Sequence, residues 1–440
     1  MKNTSKTMDI GEKAAERKKR IKSLWGKAHD RIIDIYGDMP DVRILNRFYS
    51  ETMIYGNNDS VILWDLVAEM RRRAKEKGYT TALGGTDASC FTAYLLGMCE
   101  NPLPLHYLCP VCKKIEFINA PALPWDMPDK PCECGGIMHA EGFDIPFETH
   151  IRMAHSPWPN FWVSPASLEE AKKIVVEQTS EIYWLHELPK PDFASVKFAF
   201  LPFDEEINCE EDPDTADNKY DNFPHITIIP HDTYKCIDRL YEETGENLFE
   251  SNLSKKLLAN PRIIEAFANG DTDNIPNFTS KFLDMKEELR LASPKNYYDL
   301  LQFMGAMHGT NTWCDNAECL IRDGICSIRD IPTHRDDVFM LLRSKLREAG
   351  HGDVGIAYNI ATKIRLGVYA RVGISAEDRT LFEYLDLTEW FIPYAEKIQY
   401  MFPKAHNLES LRIALTFMWY KINYPEAFKE IMKKEGAQLG

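Results

Sequence analysis

The sequence predicts a helix-rich α+β fold, and three observations indicate this class. The chain has 440 residues, of which 44% are hydrophobic and 11% aromatic, enough for a large core in two or more domains. Between Val61 and Ala74 apolar residues recur at the spacing of a buried helix face, at Ile62, Leu63, Leu66, Val67 and Met70. The run from Ser195 to Leu201 alternates as a strand does.

Further segments can be assigned in chain order. Residues 1–20 form a basic arm that we expect to be disordered, although the alanine and lysine content from about Gly11 to Tyr36 is typical of a helix. Leu168 to Gln178 also reads as a helix. The acidic run from Asp204 to Asp221 has low hydrophobicity, which favours a solvated loop over a metal site.

Composition and charge exclude several classes of protein. No stretch reaches the roughly 18 apolar residues of a membrane helix, and the N-terminus lacks a secretory apolar core, so we expect a cytoplasmic protein without a membrane partner. The odd total of 11 cysteines favours a reducing compartment over a disulfide framework. The net charge of -15 disfavours non-specific DNA binding, although basic clusters such as Arg71 to Lys77 allow local basic faces.

Two short cysteine pairs form a candidate metal site. Cys109 and Cys112 make a C-x-x-C pair, and Cys132 and Cys134 make a second pair that is one residue shorter. Zinc prefers four such ligands in a tetrahedron, and four protein ligands leave no open position for catalysis. The pairs therefore predict structural zinc, with His139 as a spare ligand; the alternative is a loop of reduced, unligated cysteines.

Four runs in this chain resemble PolC-type bacterial DNA polymerase III alpha chains, the family C replicative polymerases. They are Asn101 to Cys112, Asp144 to Thr149, His308 to Trp313 and Met401 to His406. The resemblance implies a truncated, degenerate relative: a remnant of a nucleotidyltransferase-like palm sheet, a zinc knuckle and a helical fingers domain. It divides the chain into the basic arm (1–20), a first part of the palm (21–100), the zinc-knuckle segment (101–150), a shortened palm remnant (151–235) and a helical fingers-like domain (236–440).

The resemblance also indicates what the palm has lost. In the family three aspartates hold the catalytic magnesium ions, and the matching positions here carry Asn160, Trp162 and Thr227. Two-metal phosphoryl transfer needs anionic oxygen ligands, which an amide, an indole and a hydroxyl do not supply. We therefore expect no catalytic residue at these positions and no catalytic magnesium.

Weak nucleotide binding is implied at two places. Gly85, Thr86 and Ser89 occupy the family's phosphate-binding turn, and Lys404 and His406 occupy the finger helix that faces the nucleotide. Taken alone, the Gly-Gly-Thr run is an ordinary strand-to-helix turn. Asp87 and Glu409 would each add a negative charge beside the phosphates, so we expect low affinity.

Three functions remain open at this stage. The first is a catalytically inactive polymerase homologue that binds primed DNA, a nucleotide or a replication protein. The second is an active DNA polymerase or nucleotidyltransferase that recruits other acids, such as Asp144, Glu148 or Asp232. The third is a protein–protein interaction module that does not bind nucleic acid. Fold resemblance alone does not choose among them.

Overall fold

The computed structural model describes residues 9–55, 60–85, 87–151, 158–189, 195–201, 223–248, 253–280, 283–387 and 389–435. Within these ranges the predicted helix-rich α+β class is confirmed. The acidic run from Asp204 to Asp221 lies outside the described residues, so its assignment as a loop stays a prediction. No described helix has both the length and the apolar composition of a membrane span.

The first helices enclose one side of the molecule. They are α1 (Ile10–Tyr36), α2 (Val42–Tyr55) and α3 (Ser60–Glu76), followed by the short α4 (Phe91–Leu95). In a capping box at the start of α1, the Glu12 amide donates to Asp9 Oδ1 at 2.8 Å and the Asp9 amide donates to Glu12 Oε2 at 3.0 Å. Residues 10–20 are therefore helical, and the expected disorder of the whole 1–20 arm is wrong for that part.

A five-stranded mixed sheet lies at the centre. Its strands are β1 (Thr81–Gly84), β6 (Asn160–Val163), β7 (Trp184–Pro189), β8 (Val196–Leu201) and β9 (His225–Pro230), in the order β1-β6-β9-β8-β7. Only β6 and β9 run parallel. Phe161 and Val163 are buried toward α3 and α6 (Leu168–Thr179), so the alternate residues of β6 face the opposite way.

A smaller antiparallel sheet carries the cysteine pairs. It consists of β2 (His106–Leu108), β3 (Ile115–Phe117), β4 (Lys130–Pro131) and β5 (Ile137–Glu141), in the order β3-β2-β5-β4. One cysteine pair lies in the turn between β2 and β3, and the other lies between β4 and β5. Because β2 pairs with β5, the two turns meet at the same edge.

The second half of the chain is mostly helical. Its elements, after the single-turn α5 (Glu148–Ile151), are α7 (Asp232–Thr244), α8 (Lys255–Leu258), α9 (Arg262–Ala268), the hairpin β10 (Thr279–Ser280) and β11 (Leu283–Asp284), α10 (Lys286–Ala292), α11 (Tyr297–His308), α12 (Glu318–Arg322), α13 (Arg335–Glu348), α14 (Val354–Arg365), α15 (Val368–Val372), α16 (Ala376–Tyr384), α17 (Phe391–Lys397), α18 (Lys404–Asn423) and α19 (Pro425–Glu435).

Helix α18 connects the helical half to the sheet. It is buried on nearly every side along Leu408–Tyr420 and packs against α7, α9, α11 and β1. A helix enclosed in this way does not show the one-sided apolar pattern of a surface helix. One contiguous apolar core runs from Leu24 in α1 through the sheet to Met432 in α19, which fixes the sheet and the helices relative to one another.

Candidate functional site

The central sheet brings together Asn160, Trp162 and Thr227, the three positions that we predicted to match the family's aspartates. Asn160 on β6 is paired with Gly84 on β1 and with Thr227 on β9, and Thr227 is paired with Lys197 on β8. These four residues form one row across four strands. Trp162 lies two residues beyond Asn160 and therefore points to the same face of the sheet. The expected positions are thus neighbours, and they carry no carboxylate.

Trp162 covers the β1 side of this row. A Cβ at Gly84 would lie only 2.8 Å from Cε2 of the Trp162 indole, so the indole rests directly on a glycine backbone. The ring centroid is also 5.7 Å from that of His406 on α18. An apolar ring therefore occupies the space between the sheet and the helix, and Asn160 remains exposed at its edge.

Asp144, Glu148 and Asp232, which we considered as alternative metal ligands, form no ion-binding group among the described residues. Among the described residues, the only group of three or more Cys, His, Asp or Glu side chains that could share an ion is the cysteine cluster. Glu148 lies 3.3 Å from Arg343. Asp232 begins α7 beyond the far end of β9, about 16 Å along the chain from Thr227 at roughly 3.3 Å per residue. Asp144 lies in a turn after β5, where its amide donates to the Leu103 carbonyl.

The Gly85 turn differs from the predicted phosphate site. Gly85 is partly exposed and has a φ of +70°, while Thr86 lies outside the described residues. Ser89 is fully buried, and its carbonyl accepts from Arg47 Nη2 at 2.6 Å. Asp87 was expected to repel phosphate, which is wrong because its side chain is buried and accepts from Trp64 Nε1 at 3.0 Å. Burial raises the pKa of Asp87 to about 7.

The start of α18 is also directed inward. The Lys404 ammonium lies 3.6 Å from Asp337 Oδ1, and both groups are largely buried. His406 is half-buried, and burial, together with His308 and His334 nearby, lowers its pKa to about 4. Its imidazole is therefore neutral at pH 7.

Glu409 does not add a charge beside a nucleotide, contrary to the sequence-based expectation. It is buried, with its carboxylate 2.9 Å from Arg412 Nη1. The Arg412 guanidinium lies 3.1 Å from Glu100 as well. Burial raises the pKa of Glu100 to about 7. The acid inserted into the family motif thus belongs to an interior ion-pair network.

The basic cluster from Arg71 to Lys77 is largely neutralised. Arg72 lies 2.8 Å from Glu69, Arg73 lies 3.1 Å from Glu170, and Lys77 lies 3.2 Å from the same Glu170. Arg71 donates to the Met98 carbonyl at 2.6 Å. This surface is charge-paired and offers much less positive potential to DNA than the sequence suggested.

The four predicted metal ligands come together. Sγ of Cys109 lies 3.6 Å from that of Cys134, Sγ of Cys112 lies 3.6 Å from that of Cys132, and all four sulfurs are within 4.8 Å of one another. Thiolates about 2.3 Å from a tetrahedral zinc ion would be about 3.8 Å apart. The cluster can therefore hold a metal ion, and the sulfurs of the shorter second pair lie close enough to share that ion with the first pair.

Two structural features of the cluster favour binding of a cation. Backbone N–H groups of Cys112 and Val111 lower the pKa of the Cys109 thiol, which favours the thiolate that binds metal. A Cβ at Gly136 would lie 3.2 Å from the Cys109 sulfur, so the turn passes close to the ligand. His139, the predicted spare ligand, instead lies 2.7 Å from Asp129.

Lys197 is a site residue that sequence reasoning missed. It is 1% exposed and lies directly across β8–β9 from Thr227. The one available signal was a lysine within an otherwise apolar strand, Val196–Leu201, where a solvated face is the ordinary interpretation. Its position adds an amine side chain, and not a carboxylate, to the row that contains Asn160 and Thr227.

The comparisons with known proteins show similarity to the alpha subunit of bacterial DNA polymerase III. The family model of the bacterial DNA polymerase III alpha subunit finger domain matches residues 233–339. More particularly, the chain is a relative of DNA polymerase III PolC-type. It is 26% identical to that protein of Caldanaerobacter subterraneus subsp. tengcongensis and 27% identical to that of Lactococcus lactis subsp. lactis, in each case over 95% of the chain.

The similarity covers only part of those relatives. The chain spans 34% of the Caldanaerobacter protein, 29% of the Lactococcus protein and 32% of the Clostridium perfringens protein, which is 25% identical to it. About a third of each relative's length is thus represented. The predicted resemblance to PolC-type polymerases is confirmed, and the activity of the whole relatives does not transfer with it.

Proposed function

We propose that this chain is a catalytically inactive PolC-like protein that binds nucleic acid without transferring nucleotides. The observation that supports the proposal is the pairing of Asn160 with Thr227 in the central sheet, with Trp162 on the same face, at the positions that the resemblance matches to the family's aspartates. Two metal ions about 4 Å apart require several bridging carboxylates. An amide, an indole and a hydroxyl do not supply such ligands.

Primer extension tests catalytic inactivity. The protein is incubated with a primed template, all four deoxynucleotides and either Mg²⁺ or Mn²⁺, and we expect no template-directed incorporation. Incorporation that is abolished by Asp144→Asn, Glu148→Gln or Asp232→Asn would contradict the proposal and favour an active nucleotidyltransferase with recruited acids. A PolC-type polymerase assayed in parallel shows that the conditions support synthesis.

The proposed partner is primed DNA or a nucleotide, bound weakly through Gly85, Thr86, Ser89, Lys404 and His406. Since Ser89 and Lys404 are buried, Gly85 and His406 are the members of this set, among the described residues, that face solvent in part. We expect weak retention of primed DNA at about 50 mM salt that falls as salt rises. Nitrocellulose retention or fluorescence anisotropy measures this.

A protein partner is the second candidate. The paired charges between Arg71 and Lys77, together with the net charge of -15, favour a surface that contacts a replication protein rather than phosphates. Absence of any DNA binding at low salt would favour this protein–protein interaction module. Crosslinking of the purified chain to purified replication proteins would then be the direct assay.

We further propose that the cysteine cluster binds structural zinc. Metal analysis of the purified protein should find about one zinc per chain, as expected for four thiolate ligands. Cys109→Ser should lose that zinc and lower the melting temperature, because a structural metal contributes folding free energy. Cys314→Ser is the matched control, since Cys314 is exposed and outside the cluster. A Cys109→Ser protein with unchanged zinc content and melting temperature would remove the metal from this site.

A further inference from the structure

A cavity of about 280 Å³ lies at the edge of the central sheet, beside the start of β1. Its walls come from the second half of α3, the turn before β1, the turn after α4 and one side of α7. Thr81 lines the cavity and is paired with Val163, at the other end of the ladder from Gly84 and Asn160. Side chains at positions 81 and 84 also point to opposite faces of the sheet. The cavity is therefore separate from the row that contains Asn160.

The cavity is basic. Arg71, Arg72 and Lys75 line it, all from α3, and none of the described lining residues is an aspartate or a glutamate. The whole chain, by contrast, has 67 acidic residues against 52 lysines and arginines. Arg72 is exposed and already paired with Glu69 and Glu76, so its charge is largely compensated. Arg71 is thus the cation of this cavity that matters most for a ligand.

Arg71 is half-buried and retains hydrogen-bonding capacity. A guanidinium has five N–H donors, and in the described part of the chain its one hydrogen bond runs from Nη1 to the Met98 carbonyl, at 2.6 Å. Glu409 and Glu100 attract Arg71 electrostatically, but both carboxylates lie in contact with Arg412 instead. Burial and the charge of Arg412 lower the pKa of Arg71. An anion in the cavity would supply the acceptors and the countercharge that this guanidinium lacks.

We propose that this cavity binds the phosphate group of a small phosphorylated molecule through the Arg71 guanidinium. The planar fork of arginine matches two phosphate oxygens at once, and Lys75 adds a second cation that favours a dianionic phosphate monoester. Small-molecule sites commonly enclose about 300–1,000 Å³, so a cavity of about 280 Å³ suits a small ligand. The inference goes beyond the proposed function, because neither DNA nor the row that contains Asn160 takes part in it.

The remaining walls fit the organic part of such a molecule. Leu96, Ile237 and the rings of Tyr79 and Tyr241 line the cavity beside the cations. Gly97 leaves room there, since a Cβ at this position would meet no atom within 4 Å. Apolar surface buried against these side chains adds to the attraction of the phosphate. An aromatic phosphate monoester should therefore bind at least about fivefold more tightly than inorganic phosphate.

Calorimetric titration compares these two ligands. The purified chain is titrated with inorganic phosphate and with phenyl phosphate, at constant ionic strength maintained with chloride. We expect both to bind, and phenyl phosphate more tightly. Equal affinities would overturn the assignment of an organic ligand, and no heat of binding from either ligand at millimolar concentrations would overturn the site.

Substitution of Arg71 tests the phosphate contact. Arg71→Gln keeps a donor for the Met98 carbonyl but removes the charge and the planar fork, so it should weaken phenyl phosphate binding at least about tenfold. Arg379→Gln is the matched control, because Arg379 is a surface arginine outside the cavity, and its affinity should equal that of the unmodified protein. Unchanged affinity in a folded Arg71→Gln protein would overturn the proposal.

A second pair of variants decides the question if Arg71→Gln does not fold. Ala68 lines the cavity one helical turn before Arg71, at the spacing at which side chains on a helix meet. Ala68→Glu should pair with the guanidinium and repel the phosphate, whereas Ala68→Gln has the same size without the charge. We expect Ala68→Glu to bind phenyl phosphate at least about fivefold more weakly than Ala68→Gln. Equal binding by the two variants would show that Arg71 does not hold the phosphate.

Discussion

At the scale of single residues, burial determines whether a charged side chain can act on a ligand. Asp87 and Glu409 were both expected to carry negative charge toward a nucleotide, and both are directed inward, to Trp64 and Arg412 respectively. The predicted absence of carboxylates at Asn160, Trp162 and Thr227 needs only the sequence, because these side chains carry no carboxylate in any conformation. The direction of an added acid depends on packing, which motif comparison does not give.

Asp87→Asn should stabilise the protein, increasingly so at higher pH. The pKa of Asp87 is about 7 in the folded protein and close to its ordinary value of about 3.9 when unfolded. The folded state therefore holds the proton more tightly, and the free energy of unfolding falls as pH rises from about 4 to above 7. Asparagine keeps an acceptor for Trp64 and cannot ionise.

The gain in the free energy of unfolding of Asp87→Asn should be on the order of a few kcal/mol above pH 7 and small near pH 4. Urea unfolding of both proteins across this range measures it. Glu265→Gln, at an exposed position on helix α9, is the matched control. A gain for Asp87→Asn that is equal at pH 4 and pH 8 would mean that the carboxyl group is not protonated in the fold.

At the scale of elements, the sequence pattern predicted helices and strands that depend on local sequence. It did not predict features that depend on contacts between distant segments. The predicted helix at Leu168 to Gln178 and the strand at Ser195 to Leu201 match α6 and β8 to within a residue. Helix α1 begins at Ile10 because of a local capping box. The prediction of a disordered arm did not take this capping box into account. The row from Gly84 to Lys197 joins strands far apart in sequence, so no local pattern could show it.

Helix α18 depends on a buried charge network. Arg412 is 1% exposed and lies between Glu409 and Glu100. Arg412→Met removes the cation and leaves the two acids facing each other in the core. We expect a loss of roughly 3–5 kcal/mol in the free energy of unfolding, as for other broken buried pairs.

A surface arginine provides the comparison for this loss. Arg379 lies 3.0 Å from Glu396 and its side chain is 46% exposed, so Arg379→Met should cost at most about 1 kcal/mol. Urea unfolding of the two variants gives the difference. Equal losses in Arg412→Met and Arg379→Met would show that the interior network does not hold α18 in place.

The predicted lack of a metal site in the central sheet can also be tested by introducing carboxylates there. Because Asn160 and Thr227 are directly paired on parallel strands, Asn160→Asp/Thr227→Asp places two carboxylates side by side. Hard oxygen ligands of this kind bind Mn²⁺ or Mg²⁺. The double variant should therefore acquire a Mn²⁺ site that electron paramagnetic resonance or calorimetry detects.

At the scale of the whole molecule, the proposal is that a PolC-like body remains without its catalytic metal site. The sheet, α18 and the helices that follow β9 share one apolar core, so the palm-like face and the finger helix are held against each other. The resemblance made this body predictable; the indole resting on Gly84 and the buried Lys197 became visible only in three dimensions.

Anomalous diffraction from crystals of the protein soaked in Mn²⁺ tests the central claim most directly. We predict no Mn²⁺ peak beside Asn160, Trp162 and Thr227 in the unmodified protein, and a peak there in the Asn160→Asp/Thr227→Asp variant. A Mn²⁺ ion bound beside Asn160 in the unmodified protein, held by carboxylates from any part of the chain, would contradict the claim that this sheet has lost its catalytic metal site.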